Sequence, residues 1–229
     1  MTATAADREA RVDSRTLVRF GWVAGVGAGW FVAAVLLLHA LKSAEYDFSE
    51  QTLSELAVGH YGFLMTSAFV ALGIGELALA VGLWRAAGAR FAPILQVIGG
   101  LVDLTSAIFE ADLLGAPGTT HGAIHDGVGA VGALLVIPTF LAYAWAFRRT
   151  PRWRPFALPT LAWALAAVAA FVLVIVLGEQ NQGTSERIYL AIYVSWLIAA
   201  SVRLVRFGRT EVAGATVDAA NALSPRSVG

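Results

Sequence analysis

Apolar residues along this chain gather into six runs of about 20 residues, each long enough as a helix to cross a hydrocarbon core of roughly 30 Å. They predict spans over about 20–41, 63–84, 91–112, 122–147, 156–178 and 188–205. The expected fold is all-α, a polytopic membrane bundle of six transmembrane helices occupying residues 17–208. Residues 1–16 and 209–229 are small, polar and charged and lack the apolar content to pack, so they are expected to be unstructured arms. The first run reads as an uncleaved helix. Its apolar core exceeds the roughly 7–15 residues of a signal-peptide core, and Lys42 follows it directly.

Composition agrees with the pattern. With 58% hydrophobic and 14% charged residues and a mean hydropathy of +0.69, the chain lies far outside the soluble range and belongs in a bilayer. Sixteen basic and sixteen acidic residues cancel, so no basic excess points to nucleic acid. Without cysteine, disulfides and thiolate nucleophiles are excluded. The distribution of charge then orients the bundle. Arg8, Arg11, Arg15 and Arg19 precede the first span; Arg85 and Arg90 fill the second connection; Arg148, Arg149, Arg152 and Arg154 fill the fourth; Arg203, Arg206, Arg209 and Arg226 follow the sixth. Only Lys42 and Arg187 fall on the opposite side. Positively charged short segments stay in the cytoplasm, so both termini are expected there, in a multi-pass protein of the plasma membrane.

The longest connection, about 43–60 and hereafter loop one, is acidic, with Glu45, Asp47, Glu50 and Glu55. Thr52 and Glu55 match the S/T-x-x-E capping box, and Leu53, Leu56 and Ala57 share one face at helical spacing. A short helix over 49–57, lying flat on the outer interface, is the expectation. This stretch, YDFSEQTLSELAVGHYGFLM, is followed after the third span by F-x-x-D and then H-x-x-x-H-D. Together they resemble the DUF998 family of small prokaryotic membrane proteins over about 17–205, most specifically at Thr52-Leu53-Ser54-Glu55-Leu56, with Asp112 and His125 in support. The resemblance implies a fold and a placement in the membrane but no reaction. Many relatives carry proline where this chain has Glu110, so any role for Glu110 is particular to this sequence.

Candidate chemistry concentrates in Asp103–Asp126, DLTSAIFEADLLGAPGTTHGAIHD. Asp103 and Glu110 are seven residues apart and would share one face of a continuing third helix, about 10 Å apart. The Gly115-Ala116-Pro117-Gly118 turn ends that helix and frees Asp112 to fold back. His121 and His125 share a face at the outer start of the fourth helix. Nitrogen and oxygen donors of this kind suit zinc or another divalent metal, with His121 and His125 as ligands and Asp112 as third ligand or general base. Glu55 and Ser54 would support those ligands or contact substrate. That set predicts a metal-dependent hydrolase of a lipid or other amphiphile, its bound water activated by the metal. The H-E-x-x-H motif is absent, since Gly122 follows His121. The positive end of the helix dipole also disfavours a cation there. The competing reading makes the histidines, Thr119, Thr120 and the acids an interfacial hydrogen-bond cluster that fixes the helices.

Glu76 and Asp103 lie inside apolar spans, where an ionised carboxylate costs at least about 2.5–3.5 kcal/mol, so both should face the bundle interior. With Glu110 they would form a ladder of acids across the membrane. One reading is a proton- or cation-coupled transporter; the other is a pair of neutral carboxyls bonded to Thr105, Ser106 or Gln96. A non-catalytic membrane partner protein is the third possibility. No inverted repeat or pair of broken helices supports transport.

Overall fold

The computed structural model describes residues 5–178 and 181–223, and all regular structure among them is helical. Six helices follow in order: α1 (Ala5–Leu41), α2 (Gly62–Ala87), α3 (Ala92–Ile108), α4 (Thr120–Arg149), α5 (Arg154–Leu177) and α6 (Gln182–Leu223). Each packs on the next and α6 returns to α1, which closes a ring; α2 also touches α6 across it. Short connections make neighbours antiparallel. The ends of α1, α3 and α5 and the starts of α2, α4 and α6 therefore meet at the loop-one end, and the arginine-rich connections meet at the other.

Five of the helices are long and apolar enough to cross a membrane, and α3 is a shorter apolar helix. Its 17 residues span only about 26 Å. The expected third span of 91–112 is thus corrected at its far end. Phe109 leaves the helical region (φ −105°, ψ 108°), and Glu110 and Asp112 lie beyond the helix. The chain turns there because α4 offers better partners for the freed groups than another helical turn would, as detailed below. At the other end Pro93 starts α3, where its missing N–H costs nothing. Gly88 ends α2 in the left-handed region (φ 61°) that glycine adopts without strain.

Two more boundaries differ from expectation. Helix α6 begins at Gln182 instead of 188, because loop one supplies acceptors for its first turn: Ser49 O accepts from Thr184 N at 3.1 Å. Helix also extends into the two arms, from Ala5 and on to Leu223. The rest of the arms, and Glu179 and Gln180 of the fifth connection, lie outside the described residues.

The core is aromatic toward the arginine-rich end. Trp196 packs on Phe140 and Tyr143 with ring centroids 5.0 and 5.1 Å away, and Phe147 stacks on Trp153 at 5.0 Å. Trp153 is fully buried and donates from Nε1 to Ala86 O at 3.1 Å, so the fourth connection plugs that end rather than simply bridging it. Toward lipid, α5 exposes Leu165, Ile175 and Val176. Apolar residues are inexpensive there because acyl chains solvate them as well as a core does.

Candidate functional site

At the loop-one end the chain between α1 and α2 folds inward. Only Ser54–Ala57 is helical, as one 3₁₀ turn. Leu53, Leu56 and Ala57 are buried in the main core, not laid on the interface as expected. The capping box forms in part: Glu55 Oε1 accepts from Thr52 N at 2.9 Å. Glu55 Oε2 accepts from Gln51 Nε2 and from Leu114 N, both at 2.9 Å, which ties loop one to the α3–α4 connection. Lys42 Nζ donates to Leu56 O at 3.2 Å and Val58 O at 2.6 Å, and burial holds its pKa below the usual lysine range. From α6, Glu186 Oε2 accepts from Leu53 N at 2.8 Å. Arg187 reaches four acceptors: His39 Nε2 at 3.1 Å, Gln51 O at 2.9 Å, Gly183 O at 2.6 Å, and the Tyr46 hydroxyl. Burial pushes the Tyr46 phenol up to about 12 against the opposing pull of Arg187.

The residues expected to hold a metal each have other partners. Asp112 accepts from Thr119 N at 2.7 Å and from Thr119 Oγ1 at 2.8 Å, while Thr119 Oγ1 accepts from Gly122 N at 3.0 Å and caps α4. A Cβ at position 122 would overlap the Asp112 carboxylate, so the glycine lets the acid sit over the helix start. Those Thr119 bonds hold the Asp112 pKa below the usual carboxylate range. His125 is buried, and its Nδ1 lies 2.8 Å from Phe109 O. A carbonyl only accepts, so Nδ1 carries the proton. His125 thus satisfies the carbonyl that the end of α3 leaves open. His121 is exposed and packs edge-on against Phe109 at 5.2 Å. Among the described residues no three His, Asp or Glu side chains converge on a point that could hold a metal ion. His125 and Ser54 do share a cavity of about 550 Å³ with Asp126 and Glu186, but no hydrogen bond joins Ser54 to His125 among the described residues.

The intramembrane acids are placed differently. Glu76, in the middle of α2, is 1% exposed; its carboxyl oxygens make no hydrogen bond of good geometry, with the Tyr193 hydroxyl and the Asp103 carboxyl the polar groups within reach. Asp103 Oδ2 and Gln96 Nε2, seven residues apart on one face of α3, are likewise buried without a hydrogen bond of good geometry. Asp103 and Tyr193 are polar neighbours of Glu76. Gln96 Oε1 accepts from the Tyr143 hydroxyl at 2.5 Å. Room for the carboxyl comes from Gly99, where a Cβ would stand 2.8 Å from Glu76 Oε2. Thr105, offered above as a partner, instead donates to Leu101 O at 2.7 Å. The ladder is corrected at its third rung. Because α3 has ended, Glu110 does not share a helical face with Asp103; it is exposed and lines a separate cavity with Trp30 and Ser67.

A family model described as a protein of unknown function (DUF998) matches residues 25–203. The chain belongs to the DUF998 family. No curated protein and no solved structure matches it. For a DUF998 chain the site must therefore be argued from its own groups. In this DUF998 protein sequence reasoning gave no site role to Glu186 and Arg187 or to the tyrosines Tyr143 and Tyr193. Arg187 had one legible signal, its isolation on the side of the membrane that is otherwise poor in basic residues. Tyr143 and Tyr193 had none, being aromatic residues in apolar spans.

Proposed function

We propose that this protein is a membrane carrier of protons or a small cation, with Glu76 and Asp103 as the exchanging pair. One observation supports the reading: the Glu76 and Asp103 carboxyls lie within reach of each other inside the ring, and four polar atoms of Glu76, Asp103 and Gln96 are buried there without a hydrogen bond of good geometry. A neutral group left unsatisfied in this way costs about 1–3 kcal/mol, and an ionised acid at the centre of a span costs at least about 2.5–3.5 kcal/mol. Packing alone gives no return on that cost, since leucine at position 76 or 103 would fill the ring at no polar penalty. A bound proton or cation neutralises the acids and supplies the missing interactions, and its exchange with either side is what a carrier requires. Glu76 and the Asp103 Oδ2 are buried, and neither residue lines any of the five cavities of about 420–800 Å³.

The test is proton flux into liposomes containing a pH-sensitive dye, driven by a potassium diffusion potential. Wild type should acidify the lumen, and Glu76→Gln and Asp103→Asn should each lower the rate by about tenfold or more, as for loss of an obligatory exchanging group. His121→Ala should leave it unchanged. Flux that survives both acid substitutions, or is absent from wild type, would sink the proposal.

A further inference from the structure

A second place in the molecule is built for a ligand, independently of the acid pair. A cavity of about 690 Å³ lies between α1 and α6 at the loop-one end. Its walls are apolar, with Phe31 and Val35 from α1 and Leu190 and Val194 from α6. Leu36 and Phe48 at its rim are 65% and 60% exposed, so the slot opens sideways to the surroundings of the bundle. Its polar end consists of Arg187, His39 and Tyr46. From Phe31 to His39 the wall runs about 12 Å along α1, most of the roughly 15 Å that half a hydrocarbon core provides.

Charge identifies the occupant. Arg187 is only partly buried, and every acceptor it has is neutral. His39 Nδ1 lies 2.7 Å from Val35 O and so carries the proton, which leaves Nε2 as a lone pair for Arg187 Nε. No carboxylate among the described residues forms an ion pair with Arg187, and no Asp or Glu lines the cavity. Glu186 and Asp47 act on Arg187 only through space, their oxygens accepting from Leu53 N and from Ser49, while Glu55 bonds within loop one and to Leu114 N. Four of the five guanidinium N–H groups are used, and one on Nη2 remains. A cation with no direct ion pair and one free N–H at the head of an apolar slot, at the depth of the last turn of α1, matches a molecule with an acyl chain and an anionic head.

We propose that this slot holds one acyl chain of an anionic phospholipid from the surrounding leaflet, with the phosphate on Arg187. Its clamp on loop one would then join lipid occupancy to the closure of the loop-one end.

The experiment uses the full chain, delipidated in detergent and titrated with mixed micelles of dioleoylphosphatidylglycerol or dioleoylphosphatidylcholine, with bound lipid counted by native mass spectrometry. Wild type should retain one phosphatidylglycerol per chain and prefer it over phosphatidylcholine by about tenfold or more, the scale of one charge-assisted hydrogen bond. Arg187→Gln should bring that preference below about twofold. Because it also loosens loop one, a second variant is needed. Ala191→Phe fills the slot from α6 without touching the Arg187 bonds, and should abolish lipid retention at an unchanged thermal midpoint. Equal binding of the two lipids by wild type, undiminished retention by Ala191→Phe, or displacement of the lipid by excess inorganic phosphate would each overturn the assignment.

Discussion

His121 and His125 stand four residues apart at the start of α4, yet the fold gives them unlike work. His125 is buried and donates to the Phe109 carbonyl, whereas His121 lies exposed against the face of the same residue. Removing the His125 ring leaves a buried carbonyl without a donor, so His125→Ala should lower stability by about 2 kcal/mol. His121→Ala should change it by less than about 0.5 kcal/mol, the usual range for an exposed side chain. Unfolding of both variants in one detergent measures the difference, and equal losses would contradict these separate roles. Glu55 shows the same dependence on partners: its two oxygens accept from Gln51, Thr52 and Leu114, and no single neighbour in sequence accounts for its burial.

The decisive element is α3, because it stops early. Had it continued to residue 112, Glu110 would have shared a face with Asp103 and Asp112 would have lain within the span. Ending at Ile108 instead, it leaves the Phe109 carbonyl to His125 of α4 and Asp112 to Thr119 at the α4 start. This junction should be acid-sensitive. The Asp112 pKa is lowered in the folded protein by the Thr119 bonds, so the unfolded chain takes up the proton more readily. The stability contributed is present above the ordinary carboxylate value of 3.8 and is lost as pH falls through the lower folded value. Protection factors of the amides in residues 109–122, with the intrinsic pH dependence of exchange divided out, should therefore fall below about pH 4 in wild type. Asp112→Asn should show low protection at all pH values, and a wild-type protection factor that stays constant across this window would count against the role.

At the scale of the whole molecule, the ring separates two kinds of end. One is closed by loop one through Glu55, Glu186 and Arg187; the other is closed by Trp153 and by arginines over aromatic rings, such as Arg149 over Trp145 at 3.7 Å. Between them lie the carboxyls of Glu76 and Asp103. The arginine distribution predicts that the second end faces the cytoplasm. The chain has no cysteine, so single cysteines can report this directly. In intact cells Glu45→Cys should react with a membrane-impermeant maleimide and Arg90→Cys should not. The reverse pattern would invert the topology.

Number, order and approximate limits of the helices were legible in the sequence, because the energy of placing an apolar run in a bilayer is local and additive along the run. The positions of Glu76 and Asp103 within their spans, and hence their inward placement, followed from the same argument. The capping box at Thr52 and Glu55 was readable too, being an interaction between residues three apart. Local rules could not foresee that Leu53 and Leu56 would turn into the core, that α3 would end before Glu110, or that His125 and Asp112 would take separate partners. Each of those outcomes depends on which distant backbone groups need satisfying once the helices have packed: the Phe109 carbonyl, the start of α6, the Leu114 amide. A buried polar group must find a partner wherever the fold brings one. The surroundings of Arg187 follow from the same physics, since His39, Tyr46 and Gly183 meet around it only when α1, loop one and α6 close into the ring.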